Sequence, residues 1–298
     1  MRVASIDIGS NTVLLLIAEV SDSEIIPILN EYRIPRISSG LANSGIITEE
    51  SIEKLYGVLA NYKSIITEHK CDKIIVNGTQ ALRVANNAKQ IKELIKEQFD
   101  FDLNIVTGEA EALYSFKGAL STFSDNNNYA MIDIGGASTE VVYGNSEEVY
   151  FRKSFPIGVV TVKEKFLQSN PPTVEEIKNL NIEMENIFDE LSNLDLNNYS
   201  IISVAGTPTT LSALKQGLTE YSESKIERSV LSRMDLENFI STFQKLTYEE
   251  IKNRFSPIIN GREDVILSGT FILLHLIEML NKNELIVSGR GLRYGAVL

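Results

Sequence analysis

The chain has 298 residues, 43% of them hydrophobic, enough for two ordinary domains with real cores, which excludes a disordered chain. Its net charge of −12 argues against broad nucleic-acid binding, so any polyanionic ligand must be met by local basic residues, a helix N-terminus or a cation. A single cysteine, Cys71, excludes an internal disulfide and suits a reducing compartment. Asp7 interrupts the first apolar run, so no signal-peptide core is expected, and the longest apolar stretch, Phe271 to Leu280, is too short to span a bilayer. The expectation is a soluble cytoplasmic protein with neither a nucleic-acid nor a membrane partner.

Residues 2–8, 12–20 and 25–32 are expected to form a β-meander, followed by a Ser- and Gly-rich loop from Pro35 to Ser44. Thr48 has the character of an N-cap, with Glu49 and Glu50 in the first turn; Leu55, Leu59, Tyr62 and Ile66 recur at helical spacing to about Glu68. A buried strand over Lys73 to Asn77 leads into a short helix, Gln80 to Val84, that carries Arg83. A helix over Ala88 to Phe99, a strand over Leu103 to Val106 and a helix over Gly108 to Gly118 complete the first half. Polar residues from Ser121 to Asn128 suit a linker, giving domains of 1–123 and 124–298.

The second half repeats the plan. Strands are expected at 129–134, 139–144 and 147–154, then a polar region with Pro171-Pro172 and a helix from Thr173 to Leu191. A strand over Ile201 to Val204 runs into Gly206-Thr207 and a helix over Leu211 to Gln216. Further helices are expected at Ser232 to Gln244, Tyr248 to Arg254 and Arg262 to Leu280, with a last strand at Leu285 to Ser288. A strand meander followed by αβα, twice, predicts an α/β chain with mixed sheets.

Two phrases occur twice, in the same order. Ser5 to Ile17 reads S-I-D-I-G-S-N-T-V-L-L-L-I, and Met131 to Gly144 reads M-I-D-I-G-G-A-S-T-E-V-V-Y-G. The separation of Asp7 from Asp133 nearly equals that of Gly78, in K-I-I-V-N-G-T, from Gly206, in S-I-I-S-V-A-G-T. Two motifs in register argue for two related domains facing each other.

Each hairpin tip, Gly9 to Thr12 and Gly135 to Thr139, joins glycine to hydroxyl-bearing residues and suits a phosphate cradle of backbone N–H groups. Asp7, Asp133 and Glu140 flank the tips as oxygen ligands for a hard divalent cation; as isolated residues they would be ordinary turn carboxylates. Arg83, after Gly-Thr at a strand-to-helix turn, suits a bidentate pair with phosphate, although a lone helix arginine is more often a solvated charge. Glu109 in a first helical turn fits the dipole. Glu111 shares that first turn and is open to the same dipole reading; among Ala110, Ala112 and Leu113, it also suits a general base that deprotonates water. Gly206-Thr207 suits a further phosphate loop or a plain Thr-capped helix start with Pro208 in its first turn. Ser288 to Arg293 either adds guanidinium groups to an anion groove or only closes the chain. Cys71, His69 and His275 are structural on this reading, and no G-x-x-x-x-G-K-[ST] loop is present.

With these residues assembled, the chain resembles the exopolyphosphatase / guanosine pentaphosphate phosphohydrolase family of the actin-like, hexokinase-like ATPase superfamily. The resemblance rests on I-D-I-G-S-N-T at 6–12, G-T-Q-A-L-R at 78–83, G-E-A-E-A-L at 108–113, I-D-I-G-G-A-S-T-E at 132–140, V-A-G-T-P-T-T-L at 204–211 and S-G-R-G-L-R at 288–293. It implies two ribonuclease-H-like domains with an interdomain cleft, and release of a terminal phosphate from a phosphoanhydride chain. By position, Glu111 matches the catalytic glutamate, Asp133 and Glu140 the acidic pair at the metal and water, and Arg83 a phosphate ligand. Ser10, Asn11, Thr12, Gly135, Gly136 and Ser138 match the phosphate loops, and Gly206 and Thr207 the further one.

The family often has Glu-Glu-Ala where this chain has Ala110-Glu111-Ala112, which favours Glu111 over Glu109. Ala137 replaces a common glycine, and Arg290 stands where an acid is frequent. Longer members continue into a helical domain beyond the last residue here, so short polyphosphates and guanosine pentaphosphate are equally expected as substrates. The expected cofactor is Mg²⁺ or Mn²⁺, and the apolar Phe271–Leu280 stretch packs internally or across a homodimer. The alternatives are a kinase or ATPase of the same superfamily, which needs an acceptor, and a non-catalytic sensor that binds polyphosphate or alarmone without releasing phosphate.

Overall fold

The computed structural model describes residues 1–21, 24–194 and 198–298. It comprises two compact units. One is Met1–Ser124 together with Gly291–Leu298; the other is Asp125–Arg290.

The first unit contains β1 (Arg2–Ile8), β2 (Val13–Ser21), β3 (Glu24–Arg33), β4 (Lys73–Gly78) and β5 (Leu103–Ile105). They form a five-stranded sheet in the order β3-β2-β1-β4-β5. The first three strands are antiparallel, whereas β4 and β5 run parallel to β1. The unbroken apolar run of β2 follows from burial on both faces. Leu15 and Ile17 join a core with Leu55, Leu59, Val76 and Ile95, and the alternate residues Leu16 and Ala18 pack with Tyr294. Helix Glu49–Glu68 begins where the sequence places it, with the Thr48 side chain accepting from Ser51 N. Tyr62 on this helix is fully buried and donates its hydroxyl to Val13 O at 2.9 Å.

The C-terminal residues Gly291–Leu298 belong with this unit, although sequence order places them after the second. The reason is a close backbone approach between helix Gly108–Leu120 and the short helix Leu292–Gly295. A Cβ on Gly118 would stand 2.2 Å from Gly291 O, and one on Gly295 would stand 1.8 Å from Tyr114 O. Tyr294 is fully buried beside them, and its hydroxyl accepts from Asn30 Nδ2 at 2.8 Å.

The second unit contains β6 (Asn128–Ile134), β7 (Thr139–Gly144), β8 (Val149–Phe155), β9 (Tyr199–Val204), β10 (Val230–Ser232) and β11 (Glu284–Val287). The sheet order is β10-β11-β9-β6-β7-β8. From β8 to β11 it repeats the first sheet: a three-stranded antiparallel meander, then two parallel strands, with β10 added antiparallel at the edge. The expectation of two related α/β domains with mixed sheets is borne out. Helix Val174–Phe188 opens on a capping box between Thr173 and Glu176. Helix Ile266–Met279 is apolar on nearly every side because it runs through the core, against Val162, Met184 and Leu236 among others.

Some bounds differ from expectation. The apolar helix starts at Ile266 rather than Arg262, and the helix after β9 starts at Gly206 rather than Leu211, since Pro208 is compatible with a first turn. Helix Val159–Lys165 and strand β10 carry no clear pattern in the sequence; both are too short for one. Among the described residues, no helix is long and apolar enough to cross a membrane.

Candidate active site

In the first unit, β1 turns into β2 through Gly9 to Thr12, with Gly9 N donating to Thr12 O at 3.0 Å. The Ser10 and Asn11 carbonyls accept from Ser38 N and Arg36 N, each at 3.1 Å. A trans peptide sets its C=O and the following N–H in opposite directions. The N–H groups of Asn11 and Thr12 therefore point away from the 36–38 segment, as an anion cradle requires. Ser10 and Asn11 are buried, and Asn11 Oδ1 has no hydrogen-bond partner among the described residues. Asp7 stands on β1 opposite Leu14 of β2 and beside Asn77 of β4.

The second hairpin copies this construction. Gly135 N donates to Ser138 O at 2.9 Å, and the Gly135 and Gly136 carbonyls accept from Val159 N and Val160 N at 3.0 and 2.7 Å. The amides of Gly136 and Ala137 are thereby aimed away from helix Val159–Lys165. Gly158 must lack a side chain here, because a Cβ would lie 2.6 Å from Gly135 O and 2.7 Å from Ala137 N. The unexpected helix is thus the support of the loop.

Only the second hairpin carries a facing pair of acids. Asp133 on β6 is directly opposite Glu140 on β7. Glu140 is 1% exposed, and its Oε1 accepts from Ser154 Oγ of β8 at 2.6 Å. Like charges directly opposed across strands are destabilising, and a cation between them reverses the sign. The donor chemistry fits a hard divalent ion. Among the described residues no group of three His, Cys, Asp or Glu side chains is assembled for a metal, so further ligands would be loop oxygens, water or substrate.

Arg83 and Glu111 come together within the first unit. Thr107 caps helix Gly108–Leu120, accepting from Ala110 N at 3.2 Å, and Glu111 lies in its first turn. Arg83 Nη1 donates to Glu111 Oε2 at 3.0 Å and to Val106 O at 2.8 Å. The two side chains are only 22% and 12% exposed, so this pair is not an ordinary surface salt bridge. Arg83 therefore borders the glutamate expected as base by resemblance, and is itself the expected phosphate ligand.

After β9, Ala205 adopts φ 75°, a glycine-like backbone that strains an alanine by about 1–3 kcal/mol. Gly206 follows, and a Cβ there would fall 1.6 Å from Arg262 Nη1. The Arg262 guanidinium thus lies over Gly206, a proximity that sequence separation hid. Thr207 is buried with its side chain against Gly269 of helix Ile266–Met279, which leaves its backbone as the part available to a phosphate. Arg290 Nε donates to Glu223 at 3.2 Å and Arg293 Nε to Asn30 at 3.1 Å, so both guanidinium groups of the last loop hold neighbouring structure.

The second alternative for that loop, closure of the chain, describes these contacts. Sequence reasoning also passed over Gln80, which contacts Arg83, and Ser154. Gln80 lies within the G-T-Q-A-L-R run at 78–83, but its side-chain contact has no periodicity behind it; Ser154 is one polar residue on a β-strand and carries no signal.

A family model described as the Ppx/GppA phosphatase family matches residues 16–298. The chain is similar to a bifunctional 3-dehydroquinate synthase/phosphatase of Fusobacterium nucleatum (33% identity, covering 99% of this chain and 46% of the relative). It is likewise similar to exopolyphosphatase 2 of Mycobacterium tuberculosis (31% identity, 100% and 98%). A guanosine-5'-triphosphate,3'-diphosphate pyrophosphatase of Aliivibrio fischeri is 26% identical, over 98% of this chain and 58% of its own. The chain thus spans about half the length of two of these relatives and nearly all of the mycobacterial one. Among solved structures, an Aquifex aeolicus Ppx/GppA family member superimposes with a TM-score of 0.84 at 35% identity, over 100% of this chain and 96% of its own.

Proposed function

The chain belongs to the Ppx/GppA phosphatase family, and from that premise we propose that it is a phosphohydrolase releasing terminal orthophosphate from inorganic polyphosphate or guanosine pentaphosphate. The observation that carries this reading is the Arg83–Glu111 pair, a largely buried guanidinium that holds a carboxylate from a short helix starting beside the first glycine turn. Glu111 orients a water molecule and takes its proton as the water oxygen bonds to the terminal phosphorus. The P–O bond to the rest of the chain breaks in line, and the leaving phosphate keeps the electron pair. Arg83 and the amides of the Gly9–Thr12 turn stabilise charge on the phosphoryl oxygens.

Asp133 and Glu140 would hold the divalent cation, Mg²⁺ or Mn²⁺, which when bound offsets phosphate charge in a protein that is itself strongly anionic. Taken unit by unit, the proposed phosphate and metal contacts are Asp7, Ser10, Asn11 and Thr12 in the first and Gly135, Gly136, Ser138, Gly206 and Thr207 in the second. A cytoplasmic location and a homodimer belong to the same proposal, tested by cell fractionation and light scattering.

The deciding experiment measures phosphate release from short polyphosphate, long polyphosphate and guanosine pentaphosphate, with and without chelator. Release without an added acceptor, abolished by chelator, is expected; Glu111→Gln should lower turnover by about 10²–10⁴-fold. Glu111→Gln turnover near wild type on every substrate overturns the assigned base. Binding without release at any Mg²⁺ concentration overturns the enzyme reading and leaves a sensor.

A further inference from the structure

Gln80 has no part in the chemistry above, yet its side chain makes two polar contacts to Arg83. Thr79 N donates to Ile8 O at 3.1 Å, so the short helix Gln80–Val84 starts beside the Gly9 turn. From there Gln80 Oε1 accepts from Arg83 Nε at 3.0 Å and also from Nη2. That takes the lateral edge of the guanidinium. Nη1 is left to meet Val106 O at 2.8 Å and Glu111 Oε2 at 3.0 Å.

A guanidinium is planar, and its N–H donors form a rigid fork. Fixing one edge therefore fixes the direction of every other donor. Arginine otherwise has large rotamer freedom, and ordering it at the moment of catalysis would oppose the reaction. The Val106 carbonyl alone does not settle the orientation, because one acceptor on one nitrogen permits rotation about that bond. Two contacts on the opposite edge remove that freedom.

We propose that Gln80 is a positioning residue of this site: it sets the Arg83 guanidinium, and through it the Glu111 carboxylate, for attack on the terminal phosphorus. The role rests on the phosphohydrolase chemistry proposed above. It acts through Arg83 without requiring any contact of its own with substrate.

The test is a double-mutant cycle in the full chain. Gln80→Met keeps length and removes the acceptor, and it should lower kcat by about tenfold, the scale of one hydrogen bond to a charged group, with KM changed by less than about threefold. Arg83→Lys has no lateral edge for Gln80 to hold. In that background Gln80→Met should lower kcat by less than about twofold more, a non-additivity that a merely structural role does not produce.

A readout independent of turnover is the Arg83 Nε–H resonance, assigned by its loss in Arg83→Lys. It should exchange slowly in the wild type and be lost in Gln80→Met. If Gln80→Met fails to fold by circular dichroism, Gln80→Ser is measured in the same cycle. A Gln80 variant within about twofold of wild-type kcat, or single effects that multiply in the double mutant, overturns the role. A wild-type protein that releases phosphate from neither substrate refutes the phosphohydrolase reading instead. The Gln80 clamp is then decided by the resonance, and a fast-exchanging wild-type signal overturns it.

Discussion

Replacing Gly295 with alanine tests the link between the C-terminal segment and the candidate catalytic helix. The added Cβ would stand 1.8 Å from Tyr114 O, whereas real Cβ contacts essentially never fall below 3.0 Å, so something must move by about 1.2 Å. The obstacle is backbone, which cannot swing aside like the end of a long side chain. Overpacking of this kind destabilises by about 1–3 kcal/mol, which lowers the melting temperature by roughly 2–5 °C at this size. Tyr114 lies one helical turn beyond Glu111 on the same helix, so the displacement reaches the carboxylate paired with Arg83. A misplacement near 1 Å lowers turnover on the order of 10²-fold. Differential scanning calorimetry and a phosphate-release assay on the same preparation measure both effects. A Gly295→Ala protein with wild-type melting and turnover refutes the reasoning outright; lowered melting with unchanged turnover refutes the coupling to Glu111.

Ser154→Ala removes the 2.6 Å donor to the buried Glu140 carboxylate. We expect a stability loss of about 1.5–3 kcal/mol and a higher Mg²⁺ requirement for half-maximal phosphate release, read from a thermal melt and a metal titration. Burial holds the His275 imidazole below its ordinary value of 6.5, against Glu185, Glu278 and the Met184 backbone, which pull it up. The folded state then binds fewer protons than the unfolded chain. This stabilising contribution is full above pH 6.5 and is lost as pH falls below it. His275→Leu should therefore flatten the decline in melting temperature between about pH 7.5 and pH 5; an unchanged slope refutes the assignment.

Much of the architecture was legible because the chain states it twice. The hairpin phrases around Asp7 and Asp133 placed β1–β2 and β6–β7, with the tips where the backbone turns. The cap Thr48 marked a helix start because a side-chain oxygen that accepts from the helix's first N–H groups is a local device. Glu111 was legible as an acid among small residues, and Asp133 and Glu140 as acids flanking one turn. Helix Val159–Lys165 was not, since its seven residues carry too few turns for a period, and it is fixed by hydrogen bonds to Gly135 and Gly136. Gln80 and Ser154 were missed for a related reason: each matters through one partner whose orientation no periodicity encodes.

By itself, the order of residues determined two mixed sheets, the glycine turns and the acids beside them, because strand alternation, turn chemistry and capping act over a few neighbouring residues. Tertiary structure alone decided that Arg83 pairs with Glu111, that Ser154 reaches Glu140, that Arg262 lies over Gly206, and that residues 291–298 complete the first unit. These contacts join residues far apart in the chain. They follow from packing, in which Gly118 and Gly295 permit two backbones to touch, and local sequence carries no signal of such a meeting.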